Sequence, residues 1–149
     1  MVNIRILLVD DFEPWRRFVS TTLQKHPGFQ IVLEVSDGLQ AVQKAAELYP
    51  DLILLDIGLP GLNGIEAARR IRKVAPDSKI IFLTEDSAED VAEEALRIGA
   101  AGYVVKADAA RELLPAMRAV VSGHRFLSAR LRGCLFFSTK DTTPARPRA

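Results

Sequence analysis

The chain has 149 residues, 48% of them hydrophobic and 26% charged, which are the proportions of one folded domain and exclude a disordered polymer. Twenty Lys and Arg against nineteen Asp and Glu leave a formal charge of +1, so no global field draws the whole chain to nucleic acid or to an anionic membrane. A single cysteine, Cys134, and two distant histidines, His26 and His124, exclude an internal disulfide and argue against a zinc site.

In chain order, the first apolar run, Ile4 to Val9, contains Arg5 and ends on the acidic pair Asp10 and Asp11, which is wrong for a secretory signal. No apolar stretch approaches the roughly 18 residues of a membrane span, so the expected setting is a reducing cytoplasm without a membrane partner. Trp15, Phe18, Val19, Thr22 and Leu23 then recur at helical spacing. The next apolar runs are Phe29 to Val35, Leu52 to Leu55, Lys79 to Leu83 and Gly102 to Val105. They mostly lack alternation, as expected of strands buried on both faces of a parallel sheet. Leu39, Val42 and Ala46 predict one intervening helix; Val91, Ala95 and Ile98 predict another, with Ser87 and Asp90 as a capping box. Residues 108–122 predict a last helix with Asp108 as N-cap and Leu113, Leu114, Met117, Val120 and Val121 inward, kinked or started late because of Pro115.

Five strand-helix units in 122 residues predict an α/β domain, a doubly wound five-stranded parallel sheet with helices on both faces. Residues 123–149 form a separate basic extension, six cations against Asp141 alone, a net +5 that leaves the first 122 residues at −4. Within it, LSARLRGCLFF predicts one short helix and TKDTTPARPRA a disordered tail, with Cys134 a buried small hydrophobe or an inert tail residue. DNA binding by such a tail would be sequence-blind and salt-sensitive, so specific DNA binding is not expected of this chain.

Ligands of open parallel sheets bind outside the carboxyl ends of the strands, and four of the five predicted strands deliver a polar group there. These are Asp10 and Asp11, Asp56, Thr84 and Lys106. With the strand order 2-1-3-4-5 the three carboxylates fall side by side, with Thr84 and Lys106 across from them. Gathered carboxylates repel unless a cation neutralises them, and hard oxygens with room for water suit Mg²⁺. A carboxylate beside Mg²⁺, a hydroxyl and an ammonium is what formation of an acyl phosphate requires.

Asp10 and Asp11 in LLVDD, Asp56 in DLILLDIGLPGLNG, Thr84 in IIFLTED and Lys106 in AGYVVKA together resemble the receiver domain of two-component response regulators, over residues 1 to about 122. The resemblance implies a flavodoxin-like fold, and a phosphoacceptor regulator rather than an enzyme acting on a separate substrate. It makes Asp56 the phosphoacceptor and Asp11 a direct Mg²⁺ ligand, with Asp10 acting through water and Gly58 through its backbone carbonyl. It makes Thr84 and Tyr103 the pair that rearranges on phosphorylation. The implied donor is a sensor histidine kinase or a phosphotransfer protein. The implied output face is the fourth helix, fifth strand and fifth helix, where such domains also form homodimers.

Three features depart from the common receiver pattern. Glu85 stands where a small residue is usual and would repel or screen an incoming phosphoryl group. Ala107 replaces a proline that often follows the lysine, so the Lys106–Ala107 bond is expected to be trans. AVVSGHRFLS resembles receivers that continue into a helix-turn-helix domain, yet 21 residues follow Ser128, as in a single-domain receiver or a fragment cut at a linker. Two rivals share the fold or chemistry: a phosphohydrolase with an aspartyl nucleophile, which would show D-x-D after the first strand, and a flavin carrier, which would show a phosphate-cradling loop there. Asp10-Asp11-Phe12 supplies neither. A third reading, a pseudo-receiver that binds its partner without phosphate, conflicts with the intact Asp56, Thr84 and Lys106.

Overall fold

A computed structural model describes residues 3–133; Cys134 and the TKDTTPARPRA stretch lie outside the described residues. The chain alternates β1 (Ile4–Val9), α1 (Glu13–Gln24), β2 (Phe29–Val35), α2 (Gly38–Leu48), β3 (Leu52–Leu55), α3 (Gly64–Val74), β4 (Lys79–Thr84), α4 (Glu89–Arg97), β5 (Gly102–Val105), α5 (Ala109–Val121), β6 (Phe126–Leu127) and α6 (Ala129–Arg132). The strand order is β2-β1-β3-β4-β5-β6. The predicted flavodoxin-like α/β sheet is therefore present, with one correction: it has six strands, not five. Two residues of β6 are too few to leave a hydrophobic run in the sequence.

Two compact units divide the chain, Met1–Ile80 and Ile81–Ala149. In the first, β1 pairs in parallel with β2 on one side and β3 on the other, so it is covered along both edges. Ile6, Leu7, Leu8 and Val9, with Leu52 to Leu55 of β3, are accordingly among its most buried residues. A register shift between Ile6 and Leu7 leaves Val32 as the extra residue of β2. Helices α2 and α3 begin on side-chain caps: Asp37 accepts the Gln40 N–H at 2.8 Å and Asn63 the Glu66 N–H at 3.0 Å.

The inward faces of two helices differ from the predicted stripes. Helix α2 buries Gly38, Ala41 and Ala45 while Leu39 is exposed, and α4 buries Ala92, Ala95 and Leu96. The Ser87–Asp90 capping box is absent; Ala88 opens α4, and its N–H is held by the Asp86 carboxylate at 3.0 Å. Small residues let a helix lie close to its neighbours, and that closeness outweighs the few extra methylenes of Leu39 or Val91.

In the second unit β5 lies between β4 and β6, with Thr84 opposite Val105 and Tyr103 opposite Leu127. All four β5 residues are buried. Helix α5 runs unbroken from Ala109 to Val121 with Pro115 inside it, so the late start does not occur, and Leu113, Met117 and Val120 are buried as expected whereas Val121 is exposed. Among the described residues there is no cis peptide bond, so Lys106–Ala107 is trans. Gly123, at φ +91°, reverses the chain after α5, a conformation that glycine adopts without a Cβ penalty.

The residues after that reversal are tied down by polar contacts. Asp108 does not cap α5 with its side chain. Its carboxylate instead takes a forked pair of bonds from Arg130, Nε at 2.7 Å and a terminal nitrogen at 2.8 Å, and one from Arg111 at 3.0 Å. The Arg130 bonds hold the Asp108 carboxyl down at about 2, with Arg111 adding to the effect, and Asp108 in turn raises the pKa of Arg130. Glu112, also buried, accepts from the Ser128 hydroxyl at 2.6 Å and from the Ala129 N–H at 3.0 Å.

Candidate functional site

Parallel register assembles the acidic cluster. Val9 and Leu55, the last residues of β1 and β3, are partners, so the chain delivers Asp10 and Asp56 from adjacent strand ends. The Asp56 N–H donates to the Val9 carbonyl at 3.1 Å and the Asp10 N–H to the Val35 carbonyl at 3.1 Å, which carries the sheet bonding one residue past the strands. Asp10 and Asp56 are buried, Asp11 is exposed, and one carboxylate oxygen from each lies within 4.8 Å of the other two.

Backbone contacts orient the first two. Asp10 Oδ1 accepts the Phe12 N–H at 2.9 Å, a local turn that leads into α1, and the Asp10 carbonyl accepts Arg16 at 2.7 Å. Phe12, not either aspartate, opens the helix. Asp56 Oδ1 accepts the Ile57 N–H at 2.7 Å and, more weakly, the Gly58 N–H at 3.4 Å. Gly64 lets the following helix approach: a Cβ there would stand 2.0 Å from the Asp56 carbonyl oxygen.

The remaining predicted residues lie in the second unit. Thr84 is buried at the end of β4, and Lys106, half-buried, opens a single 3-10 turn over Lys106–Asp108 directly after β5. Tyr103 is fully buried in β5 with its ring 6.2 Å from that of Phe82. Thr84 and Tyr103 meet through one residue, Asp86: its N–H donates to Thr84 Oγ1 at 3.3 Å, and the Tyr103 hydroxyl donates to its carbonyl at 2.7 Å. Glu85 is exposed beside them.

Three carboxylates with no nitrogen or sulfur donor among them suit a hard dication that retains water, and neutralising them offsets their mutual repulsion. The donor set fits Mg²⁺ and disfavours softer metals.

Residues 6–118 match the response regulator receiver domain family. The chain belongs to that family. It is 34% identical over 128 residues to the response regulator GacA of Pseudomonas viridiflava, covering 86% of this chain and 60% of that protein. It is 37% identical over 130 residues to the transcriptional regulatory protein LiaR of Bacillus subtilis, covering 87% and 62%. The chain therefore spans about three fifths of the length of these curated relatives. Among solved structures, a LuxR-family two-component response regulator from Aurantimonas sp. SI85-9A1 superposes with a TM-score of 0.83 at 32% identity, over 93% of this chain and 96% of that one. The response regulator domain of Thermotoga maritima CheB superposes at 0.72 and 35% identity, over 78% and 94%. The chain is thus a receiver domain of a two-component system, and its acidic cluster stands where the receiver's metal site is expected. Among the described residues no helix is long and apolar enough to cross a membrane.

Missing from the sequence reading are the link that Asp86 makes between Thr84 and Tyr103 and the Asp108 and Glu112 contacts. For Glu112 a signal existed: an acid four residues before Ala116 and one before Leu113 lies on the inward stripe of α5, where it must find donors.

Proposed function

We propose that this receiver accepts a phosphoryl group on Asp56 from the phosphohistidine of a sensor histidine kinase or a phosphotransfer protein, in the cytoplasm and with Mg²⁺ bound. The convergence of Asp10, Asp11 and Asp56 carboxylates within 4.8 Å carries the reading. Asp11 would hold the ion directly, Asp10 through water, and Asp56 and the Gly58 carbonyl would complete the protein ligands. When bound, Mg²⁺ neutralises charge on the transferring oxygens.

The protein's own residues do the rest. The Ile57 and Gly58 amides on Oδ1 fix the plane of the Asp56 carboxylate. A carboxylate oxygen of Asp56 forms the new bond to phosphorus as the donor's N–P bond breaks, and the electron pair returns to that imidazole nitrogen, the ring leaving as neutral imidazole because its other nitrogen carries a proton. Lys106 adds positive charge to the phosphoryl oxygens, and the Thr84 hydroxyl donates to one of them. Moving Thr84 moves its bond to Asp86, and Asp86 also holds Tyr103 of β5 and the Ala88 N–H at the start of α4, so the switch reaches α4 and β5 through one residue and from there the α4-β5-α5 face. That face would engage the partner, the output domain or a second copy.

Incubation with a small acyl-phosphate donor and Mg²⁺ should add one phosphoryl mass to the intact chain, and neither Asp56→Asn nor metal-stripped protein should gain it. A gain that survives Asp56→Asn would overturn the assignment, and no gain in the unaltered chain would replace it with phosphate-independent partner binding.

The lifetime of the product is open to test at Gly58. That residue is exposed and nothing lies within 4 Å of where a Cβ would point, so a side chain can be added there without strain. A side chain two residues past the nucleophile would shield the acyl phosphate from an aligned water. Gly58→Gln should therefore slow loss of the phosphoryl group severalfold, measured as decay of the phosphorylated mass. Unchanged or faster decay would give control to Glu85 and Asp86.

A further inference from the structure

Lys106 has no regular element directly after it, only one 3-10 turn, and a lysine that must meet a phosphoryl group needs its backbone fixed. Val105, just before it, and Asp108, two residues after it, are both bonded to the segment that follows β6. On the amino side, the buried Ser128 Oγ accepts the Val105 N–H at 2.8 Å and donates its own proton to Glu112 Oε1 at 2.6 Å. The Ser128 N–H bonds the Tyr103 carbonyl at 2.9 Å, so one residue grips β5 at two successive points. On the carboxyl side, the Arg130 fork binds both oxygens of Asp108 at 2.7 and 2.8 Å. Between these grips, Ala129 N–H anchors on Glu112 Oε2 at 3.0 Å.

We propose that residues 128–130 form a clamp that positions Lys106, with Ser128 holding Val105 before it and Arg130 holding Asp108 after it. The inference rests on the reading that Lys106 acts on the phosphoryl oxygens, and it adds positioning residues that lie outside LLVDD, DLILLDIGLPGLNG, IIFLTED and AGYVVKA, the segments that supply the site. It also means that whatever pulls on this segment from its C-terminal side acts on the phosphorylation chemistry, because displacing Arg130 removes two of the three bonds that hold the Asp108 carboxylate at the end of the turn that carries the lysine, leaving only the one from Arg111.

Arg130 is the residue to alter. Its side chain is nearly half exposed, so Arg130→Gln removes the fork without opening the core. The measurement is the phosphorylation rate of the full chain with a small acyl phosphate and Mg²⁺, followed by intact mass, with thermal unfolding recorded in parallel. Arg130→Gln should slow the reaction about fivefold while the final labelled fraction stays the same, as expected for a misplaced catalytic group. Lys106→Ala should slow it about a hundredfold, the scale of losing one charge-stabilising group. The decisive comparison is the double variant, in which Arg130→Gln should cause no further loss, because a positioning residue has no effect once the group it positions is gone.

An Arg130→Gln rate equal to that of the unaltered chain, or a loss of the same size in both backgrounds, would overturn the clamp while leaving the phosphoacceptor reading intact. A Lys106→Ala rate equal to that of the unaltered chain would overturn it as well. If no variant and not even the unaltered chain is labelled, the phosphoacceptor reading itself fails and the clamp falls with it.

Discussion

Gly64→Ala is expected to destabilise the protein by about 3 kcal/mol, the upper part of the usual cost of overpacking, and to lower Asp56 phosphorylation further than the lost stability accounts for. The added Cβ would sit 2.0 Å from the Asp56 carbonyl oxygen, 2.7 Å from the Ile57 Cα and 2.8 Å from the Asp56 carbonyl carbon. All three are backbone atoms, so no flexible side chain can swing aside. Relief requires either α3 to draw back, breaking the 2.8 Å bond from the Gly64 N–H to the Ile57 carbonyl, or the Asp56–Ile57 peptide to shift. The second route carries the Asp56 carboxylate with it. A fall of roughly 10 °C in Tm is the matching thermal change for a chain of this size. Gly133→Ala is the control, since its Cβ would meet nothing within 4 Å and should leave both Tm and labelling unchanged. Equal behaviour of the two variants would show that the close approach at Gly64 does not hold the nucleophile in place.

The readable part of this fold is the part that burial makes repetitive. Ile6 to Val9 and Leu52 to Leu55 are apolar at every position because neighbours cover both edges and both faces, and that leaves runs visible in a bare sequence. The acidic cluster was legible for a related reason: parallel strands end at the same edge, so a polar residue after each run must gather with the others. Asp10 and Asp56 follow a paired Val9 and Leu55, and nothing finer than strand ends was needed to bring them together.

What the sequence hid falls into two kinds. Inward helix faces built from small residues, such as Ala41 with Ala45 and Ala92 beside the expected Ala95, are outweighed in any apolar pattern by an exposed Leu39 or a flanking Val91, so Leu39, Val42 and Val91 enter the predicted stripes one residue away from a buried small one. Close backbone contact selects small side chains there, and hydrophobic periodicity weighs large ones. The second kind is polar and nonlocal. Asp86 joins Thr84 to Tyr103 across 17 residues, and Ser128 joins Val105 to Glu112 across 23 and 16. No spacing rule reaches so far along a chain, whereas a buried Glu112 or Asp108 announces that donors must exist without saying which.

Glu112→Ala is expected to cost about 3 kcal/mol and Glu112→Gln about 1–2 kcal/mol, because the two substitutions strand different numbers of buried donors. Glu112 is 7% exposed and Ser128 not at all, so water does not readily replace a lost partner. In the alanine variant the Ser128 hydroxyl and the Ala129 N–H both lose their acceptor, and a void replaces the side chain. In the glutamine variant the remaining carbonyl oxygen can still accept from one of them. Its NH₂ faces the other: against the Ala129 N–H that is donor against donor, and against Ser128 the hydroxyl oxygen can take it on its second lone pair only by turning its own proton away from its acceptor. Thermal unfolding should therefore rank unaltered chain, glutamine, alanine, in descending order. Equal melting of all three would mean that the carboxylate contributes no net stability where it lies. A glutamine variant as unstable as the alanine one would mean that negative charge, acting on the nearby Arg130, outweighs the count of hydrogen bonds.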